Sequence, residues 1–353
     1  MIVKFFNPGL AYRNSKTEID HAIQDTLDRG DLILRKDLED FEAKLAQYVG
    51  TAHAVGVGSG TDALYLCLLA HGIGPEDTVL CPSYTFRATP DVALRVGAKV
   101  RLYDLGERPS LDGVTVFMPA HIAGHVEDWI PGAIREAHTK EILVIEDAAQ
   151  AIGAAPVRGK AACYSFYPAK ILGAPGDAGA IATDDPALAD WLRRARNHFK
   201  GEQGDVGLNS RLDNVWAAVL NVRIEQLPQN IEARKNVARQ YDAALADICE
   251  IPAKREVYQD YIIGCKDAQE CDALYDFLAV RGIETMRNGY PFAKVLTKGP
   301  KTVEFEARSL RLPCNPELYD DQVEYVIESI WKFYRALGSV DIINRSLDNE
   351  PAQ

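Results

Sequence analysis

From Ala54 onward the chain alternates short apolar runs with helical patterns, and this rhythm restricts the fold more than any other feature. The runs lie at 53–57, 77–81, 99–103, 114–118, 142–146, 161–166 and 179–183, with helical stretches at 61–71, 86–96, 128–138 and 186–196 between them. Apolar strands alternating with helices predict an α/β fold, its mostly parallel sheet covered on both faces. Two amphipathic helices are expected ahead of it, at 16–29 and 36–48, the second with Leu38, Phe41, Leu45 and Tyr48 on one face. A long helical pattern follows at 211–245, interrupted near Pro228. After Ile251 a smaller α+β unit is expected: a strand at 258–265, a helix at 268–281, a Gly-Tyr-Pro loop at 289–291 and a helix at 320–336. The expected division is therefore a large α/β domain over 1–245, a small C-terminal α+β domain over 246–337, and a polar tail, 338–353, that frays.

Composition narrows the function classes. The chain has 353 residues, 47% of them apolar, enough for about two domains. A net charge of −12 with no basic tract argues against nucleic acid or an anionic membrane as partner. No apolar run reaches the length of a membrane span, and Met1 to Pro8 carries no signal-peptide pattern. The seven cysteines contain no Cys-x-x-Cys and read as buried free thiols of a reducing cytoplasm.

The chemistry gathers just past the strands. Ser165-Phe166-Tyr167-Pro168-Ala169-Lys170 ends an apolar strand at a proline and puts a lysine at once into a Gly- and Pro-rich loop. Burial lowers a lysine's pKa, and a neutral amine forms a Schiff base with an aldehyde; the plainer reading is a lysine reaching solvent from a strand end. Gly56-Val57-Gly58-Ser59-Gly60-Thr61-Asp62, between a strand and a helix, reads as a phosphate cradle or as a tight capped turn. It lacks the third glycine of a dinucleotide fingerprint, and Gly153 to Lys160 fails the P-loop spacing. Glu146-Asp147 closes an apolar strand, offering a carboxylate to a cation or a protonated ring nitrogen, or a helix cap. Phe86, past another strand, stacks on a flat ligand or packs in the core. His121 and His125 have the spacing of a helical metal pair, but Gly124 and Pro119 speak against a helix, and no metal is expected. A phosphate cradle, a ring stacker, an acid for a ring nitrogen and a lysine for an aldehyde together make the set of groups that pyridoxal 5′-phosphate needs.

At this point the sequence resembles the DegT/DnrJ/EryC1/StrS aminotransferases. The matching segments are Gly58 to Leu64, Pro82 to Thr89, Glu146 to Ala151, Ser165 to Gly173 and Gly207 to Asp213, within a likeness running from about residue 5 to 335. The resemblance implies fold type I and an enzyme that moves an amino group, usually from glutamate, to a keto sugar carried on a nucleotide. It implies that Lys170 holds the cofactor and afterwards moves the proton, that Asp147 pairs with the ring nitrogen, that Gln150 lies by the ring hydroxyl and that Phe86 stacks. It assigns Gly60, Thr61 and Ser165 to the phosphate, joined by Asn209 from the neighbouring subunit of a homodimer, and sets Arg211 and Tyr290 near the substrate. A dehydratase branch carries histidine in place of the lysine, so Lys170 argues for transamination. The sequence departs from the family near the substrate: Asn288-Gly289-Tyr290-Pro291 replaces a frequent His-Tyr-Pro, and Tyr258-Gln259-Asp260-Tyr261 lacks a frequent histidine. Shortened stretches at 104–119 and 153–161 point the same way, so a non-sugar ketone or cyclitol as acceptor stays open, as does a non-catalytic cofactor-binding regulator.

Overall fold

A computed structural model of the chain describes residues 1–154, 157–202 and 206–338. Three helices open it: α1 (Pro8–Asn14), α2 (Lys16–Arg29) and α3 (Lys36–Val49). On α3, Leu38, Phe41 and Leu45 are buried as the helical spacing predicts. Then come β1 (His53–Val57), α4 (Gly60–Ala70), β2 (Thr78–Pro82), α5 (Ala88–Arg95), β3 (Lys99–Tyr103), β4 (Val116–Phe117), α6 (Ile130–Thr139), β5 (Leu143–Asp147), β6 (Ala161–Ser165), β7 (Gly179–Thr183) and α7 (Pro186–Ala195).

These seven strands form one sheet in the order β1-β7-β6-β5-β4-β2-β3. Only β7 runs antiparallel to its neighbours; every other pair is parallel, as the alternation required. One buried cluster joins α3, β6 and the following helix α8, and a second joins α4, α7 and the opposite sheet face.

The helix α8 (Asn214–Leu245) corrects one expectation, because it runs unbroken through Pro228. Proline removes one helical N–H, but Leu227 and Ile231 on either side are buried in the same cluster, and this packing holds the turn. The second half of α8 enters a third cluster with β8 (Tyr261–Gly264), α9 (Ala268–Val280), β10 (Ser309–Leu312) and α11 (Asp320–Ala336). Between α9 and β10 lie β9 (Met286–Arg287) and α10 (Pro300–Arg308). The small sheet has the order β8-β10-β9, all antiparallel. Val3 pairs with Ile283, tying the N-terminus to this unit. The elements α1, β9, α10 and β10 were not expected from the sequence, and the strand expected at 258–265 is confined to β8. Residues 339–353 of the tail expected to fray lie outside the described residues. All seven cysteines are free and buried.

Candidate active site

The C-terminal ends of β1, β5 and β6 face a cavity of about 570 Å³ between the large sheet and the small unit. One corner is the start of α4. Ser59 caps the helix, its Oγ accepting from the Asp62 N–H at 3.1 Å. The N–H groups of a first helical turn have no partner within the helix, which makes this corner an anion site. Gly60 is required by close approach: a Cβ there would lie 2.8 Å from the Ser165 Cβ. Gly60, Thr61 and Ser165 thus meet at one end of the cavity. Ser210 pins the loop, its Oγ accepting from the Gly58 N–H at 3.0 Å and donating to Asp62 at 2.7 Å.

Asp147 closes β5, buried, with its carboxylate at the cavity. It accepts from the Thr89 hydroxyl at 2.6 Å and from the Ala149 N–H at 3.2 Å. Its neighbour Glu146 accepts from the N–H groups of Arg158 and Gly159 at 2.7 and 2.8 Å and pairs with His121 Nε2 at 3.0 Å. Burial pushes the Glu146 carboxyl up, but His121 and the two amides outweigh it and hold it below its ordinary range. Ile122–Gly124 is a single 3-10 turn rather than an α-helix. Burial, aided by Arg255, pulls the His125 imidazole down to about 4. Among the described residues no three His, Cys, Asp or Glu side chains gather as a metal site.

Lys170 follows β6 through a turn closed by its own N–H on the Tyr167 carbonyl at 2.8 Å, and its side chain lines the cavity. Burial pulls its ammonium below the ordinary lysine range; Asp260 and Asp147 oppose this and Arg311 adds to it. Gln259 grips the lysine's loop from both sides, donating to the Ala169 carbonyl at 2.8 Å and accepting from the Ile171 N–H at 3.0 Å. Gln150 accepts from the Ala123 N–H at 2.6 Å, and its Nε2 reaches the Tyr290 hydroxyl at 3.5 Å. Phe86 is 46% exposed on the cavity, with Tyr290 edge-on to it at 5.3 Å.

The cavity therefore brings together Gly60, Thr61, Phe86, Asp147, Gln150, Ser165, Lys170 and Tyr290. Asn209 and Arg211 are outside its wall: Asn209 is exposed and bridges to Asn197, and Arg211 donates to the Asn197 side chain at 3.0 Å. In the wall facing Lys170, sequence reasoning named Asp260 only as part of the altered stretch 258–261 and missed Arg234, Arg311 and Asn315. The one signal there was a charge between two apolar residues, Leu310-Arg311-Leu312.

Comparison with known proteins gives the same reading. The dTDP-3-amino-3,4,6-trideoxy-alpha-D-glucose transaminase of Streptomyces venezuelae is 35% identical over 93% of this chain and 95% of its own. The pleiotropic regulatory protein of Geobacillus stearothermophilus is 34% identical over 92% and 96%. A crystal structure of S. venezuelae DesV in complex with a ketimine intermediate superposes with a TM-score of 0.87 and 33% identity, covering 94% of this chain and 98% of that one. The fold is the type I fold of the pyridoxal-phosphate aminotransferases. The family model of these enzymes matches residues 13–331, and the chain belongs to the DegT/DnrJ/EryC1/StrS aminotransferase family.

Proposed function

We propose that the chain transfers an amino group, with glutamate as donor, to a keto sugar carried on a nucleotide, using pyridoxal 5′-phosphate. One observation carries this: a half-buried lysine whose ammonium is pulled below its ordinary range, a buried carboxylate and an open helix start face the same cavity. The donor set fits the cofactor. The α4 start with Thr61 and Ser165 takes a phosphate, the Asp147 carboxylate takes a protonated ring nitrogen, and Phe86 presents an aromatic face to a flat ring. When bound, the cofactor supplies an electron sink and carries the amino group between the two substrates. Lys170 holds it through Nζ and, once released, moves the proton at the reacting carbon. Asp147 keeps the ring nitrogen charged, and Thr89 orients Asp147. Gln150, at the cavity wall, would lie by the ring hydroxyl.

The exposed Asn209 supports a homodimer in which it reaches the phosphate of the neighbouring site, with Arg211 beside it. We place the domain division at 245/246, with 1–245 holding the cofactor and 246–337 the substrate wall. No helix of the described residues is long and apolar enough to cross a membrane; with the buried free thiols this supports a cytoplasmic enzyme. The likeness to the dTDP-3-amino-3,4,6-trideoxy-alpha-D-glucose transaminase, over nearly the whole of both chains, supports the nucleotide-linked sugar. The test is an absorbance spectrum of the purified protein before and after glutamate. The expected result is a visible band that collapses into the near ultraviolet. A band indifferent to glutamate and to other amino donors contradicts transamination, and no band even after adding pyridoxal phosphate contradicts the cofactor.

A further inference from the structure

The two loops in which this chain departs from its family, 258–261 and 288–291, meet on one guanidinium. Arg311 stands on β10 and is 4% exposed. Its Nη1 lies 3.1 Å from the carboxylate of Asp260, itself 5% exposed, and its Nε and Nη2 donate to the Asn288 Oδ1 at 3.0 and 2.8 Å. Asn288 is fixed in turn by the Tyr84 hydroxyl at 2.9 Å and the Ser309 hydroxyl at 2.8 Å. The guanidinium lies over the Tyr290 ring, 4.6 Å from its centre, and both line the cavity. One hydrogen bond per nitrogen leaves one N–H on each terminal nitrogen of Arg311.

A second cation stands behind it. Arg234, 5% exposed, lines the same wall, donates to the carbonyls of Tyr258 and Gln259 at 3.3 and 3.2 Å, and has no hydrogen-bond partner for Nε. Carbonyl oxygens satisfy its donors without cancelling its charge. At the cavity surface the wall thus sets Arg311 and Arg234 against the carboxylate of Asp260, with Glu317 facing Arg234 and Arg255 facing Asp260 behind them, where solvent screening is weak. The chain's overall charge of −12 does not offset this locally, because exposed charges fade within about 10 Å in ordinary salt.

We propose that Arg311, positioned by Asp260 and Asn288 and backed by the field of Arg234, is a carboxylate subsite of the reacting cavity. The subsite deepens the aminotransferase reading and rests on it. The planar fork of an arginine suits a carboxylate, and the Tyr290 ring fixes the plane of the fork. Two substrates bring this chemistry: the α-carboxylate of the amino donor, or the carboxylate of a sugar acid as acceptor.

The experiment compares the holoenzyme with R311M and with the double variant D260N/R311M, which removes both buried charges and leaves neither unpaired. Binding is read from the visible band during titration with succinate, which carries carboxylates and no amine, and with glucuronate. Single turnovers are run with glutamate and with 1-phenylethylamine, an amine with no carboxylate. If the donor's carboxylate binds here, both variants bind succinate at least about tenfold more weakly and react with glutamate more slowly by a similar factor. Their reaction with the carboxylate-free amine changes far less. If a sugar acid is the occupant, glucuronate binding weakens instead and the glutamate reaction is kept. Variants that match the parent with all three acids overturn the proposal. So does an equal loss with the carboxylate-free amine, which means that Arg311 acts only on the lysine or the fold. A parent protein with no visible band refutes the cofactor reading itself, a failure distinct from that of the subsite.

Discussion

The two walls of the cavity are built by different means. On the sheet wall, Asp147, Ser165 and Lys170 sit at or just past strand ends, and their places are set by backbone: the parallel ladder of β5 and β6 and the turn onto Lys170. On the facing wall, Arg311 is also held in a ladder, on β10 between β8 and β9, but Asp260 and Asn288 lie just outside those strands and are joined to Arg311 through side-chain hydrogen bonds. A strand end is over-determined by its ladder and by the packing on both faces of the sheet. A side-chain network has few contacts, and each member depends on the rest. On the proposed function, the reacting groups therefore stand on the wall that tolerates least displacement, and the groups that meet the variable part of a substrate stand on the wall that a few substitutions can rebuild.

The largest expected effect tests the sheet wall directly. On the proposed function, Lys170→Ala removes both the amine that holds the cofactor and the group that moves the proton. Turnover is expected to fall by about 10⁴-fold or more, with loss of the visible band. Near-normal transamination by this variant would place the reactive amine elsewhere and dissolve the distinction between the walls.

The same contrast explains what could be read from the chain alone. Every strand of the large sheet was legible because each is an apolar run bounded by turns, and the sheet wall inherits its residues from those boundaries. Lys170 was conspicuous for following a strand so closely. The facing wall has no such signal. β10 spans only Ser309–Leu312, and α10, with Thr302 as its one buried residue, shows no apolar periodicity. α1 has no buried residue at all. Arg311 meets Asp260 and Asn288 across 51 and 23 residues of chain, so no local pattern announces the network. The expected break at Pro228 failed for the converse reason: a strong local signal yielded to packing on both sides of it. The resemblance to the family named Asp147, Ser165 and Lys170, which line the sheet wall, and at the facing wall it named Tyr290 and otherwise reported only that frequent histidines were missing.

Gln259 is one point where the walls touch, and its effect is intermediate. Its amide, coming from the small unit, grips the loop on both sides of Lys170. Gln259→Ala leaves the Ala169 carbonyl and the Ile171 N–H without that partner, which costs about 1–3 kcal/mol of stability. Thermal unfolding checks this part. If the grip also aims the lysine, kcat falls by about tenfold while KM for glutamate holds, since the substituted group touches the lysine loop rather than the donor. A loss of stability with kcat unchanged makes Gln259 a brace and nothing more, and the walls are then independent.

The smallest effect is one of direction. In its proposed role Lys170 must be neutral to attack the cofactor's aldehyde, so the rate at which apoenzyme takes up pyridoxal phosphate is expected to climb as pH rises through the lysine's titration. Burial holds that titration below the ordinary lysine range, Asp260 pulls it back up and Arg311 presses it further down. Removing the cation in R311M makes the ammonium easier to form, so the midpoint of the uptake profile moves to higher pH. Removing the anion in D260N makes it harder to form, and the midpoint moves to lower pH. In D260N/R311M the two changes oppose, and the midpoint returns toward that of the parent. Opposite displacements from two adjacent substitutions are the mark of charges acting on the lysine through space. Displacements of the same sign would mean that either substitution simply lets water into the cavity, in which case the facing wall acts on Lys170 by excluding solvent and its paired charges have no separate part in tuning the amine.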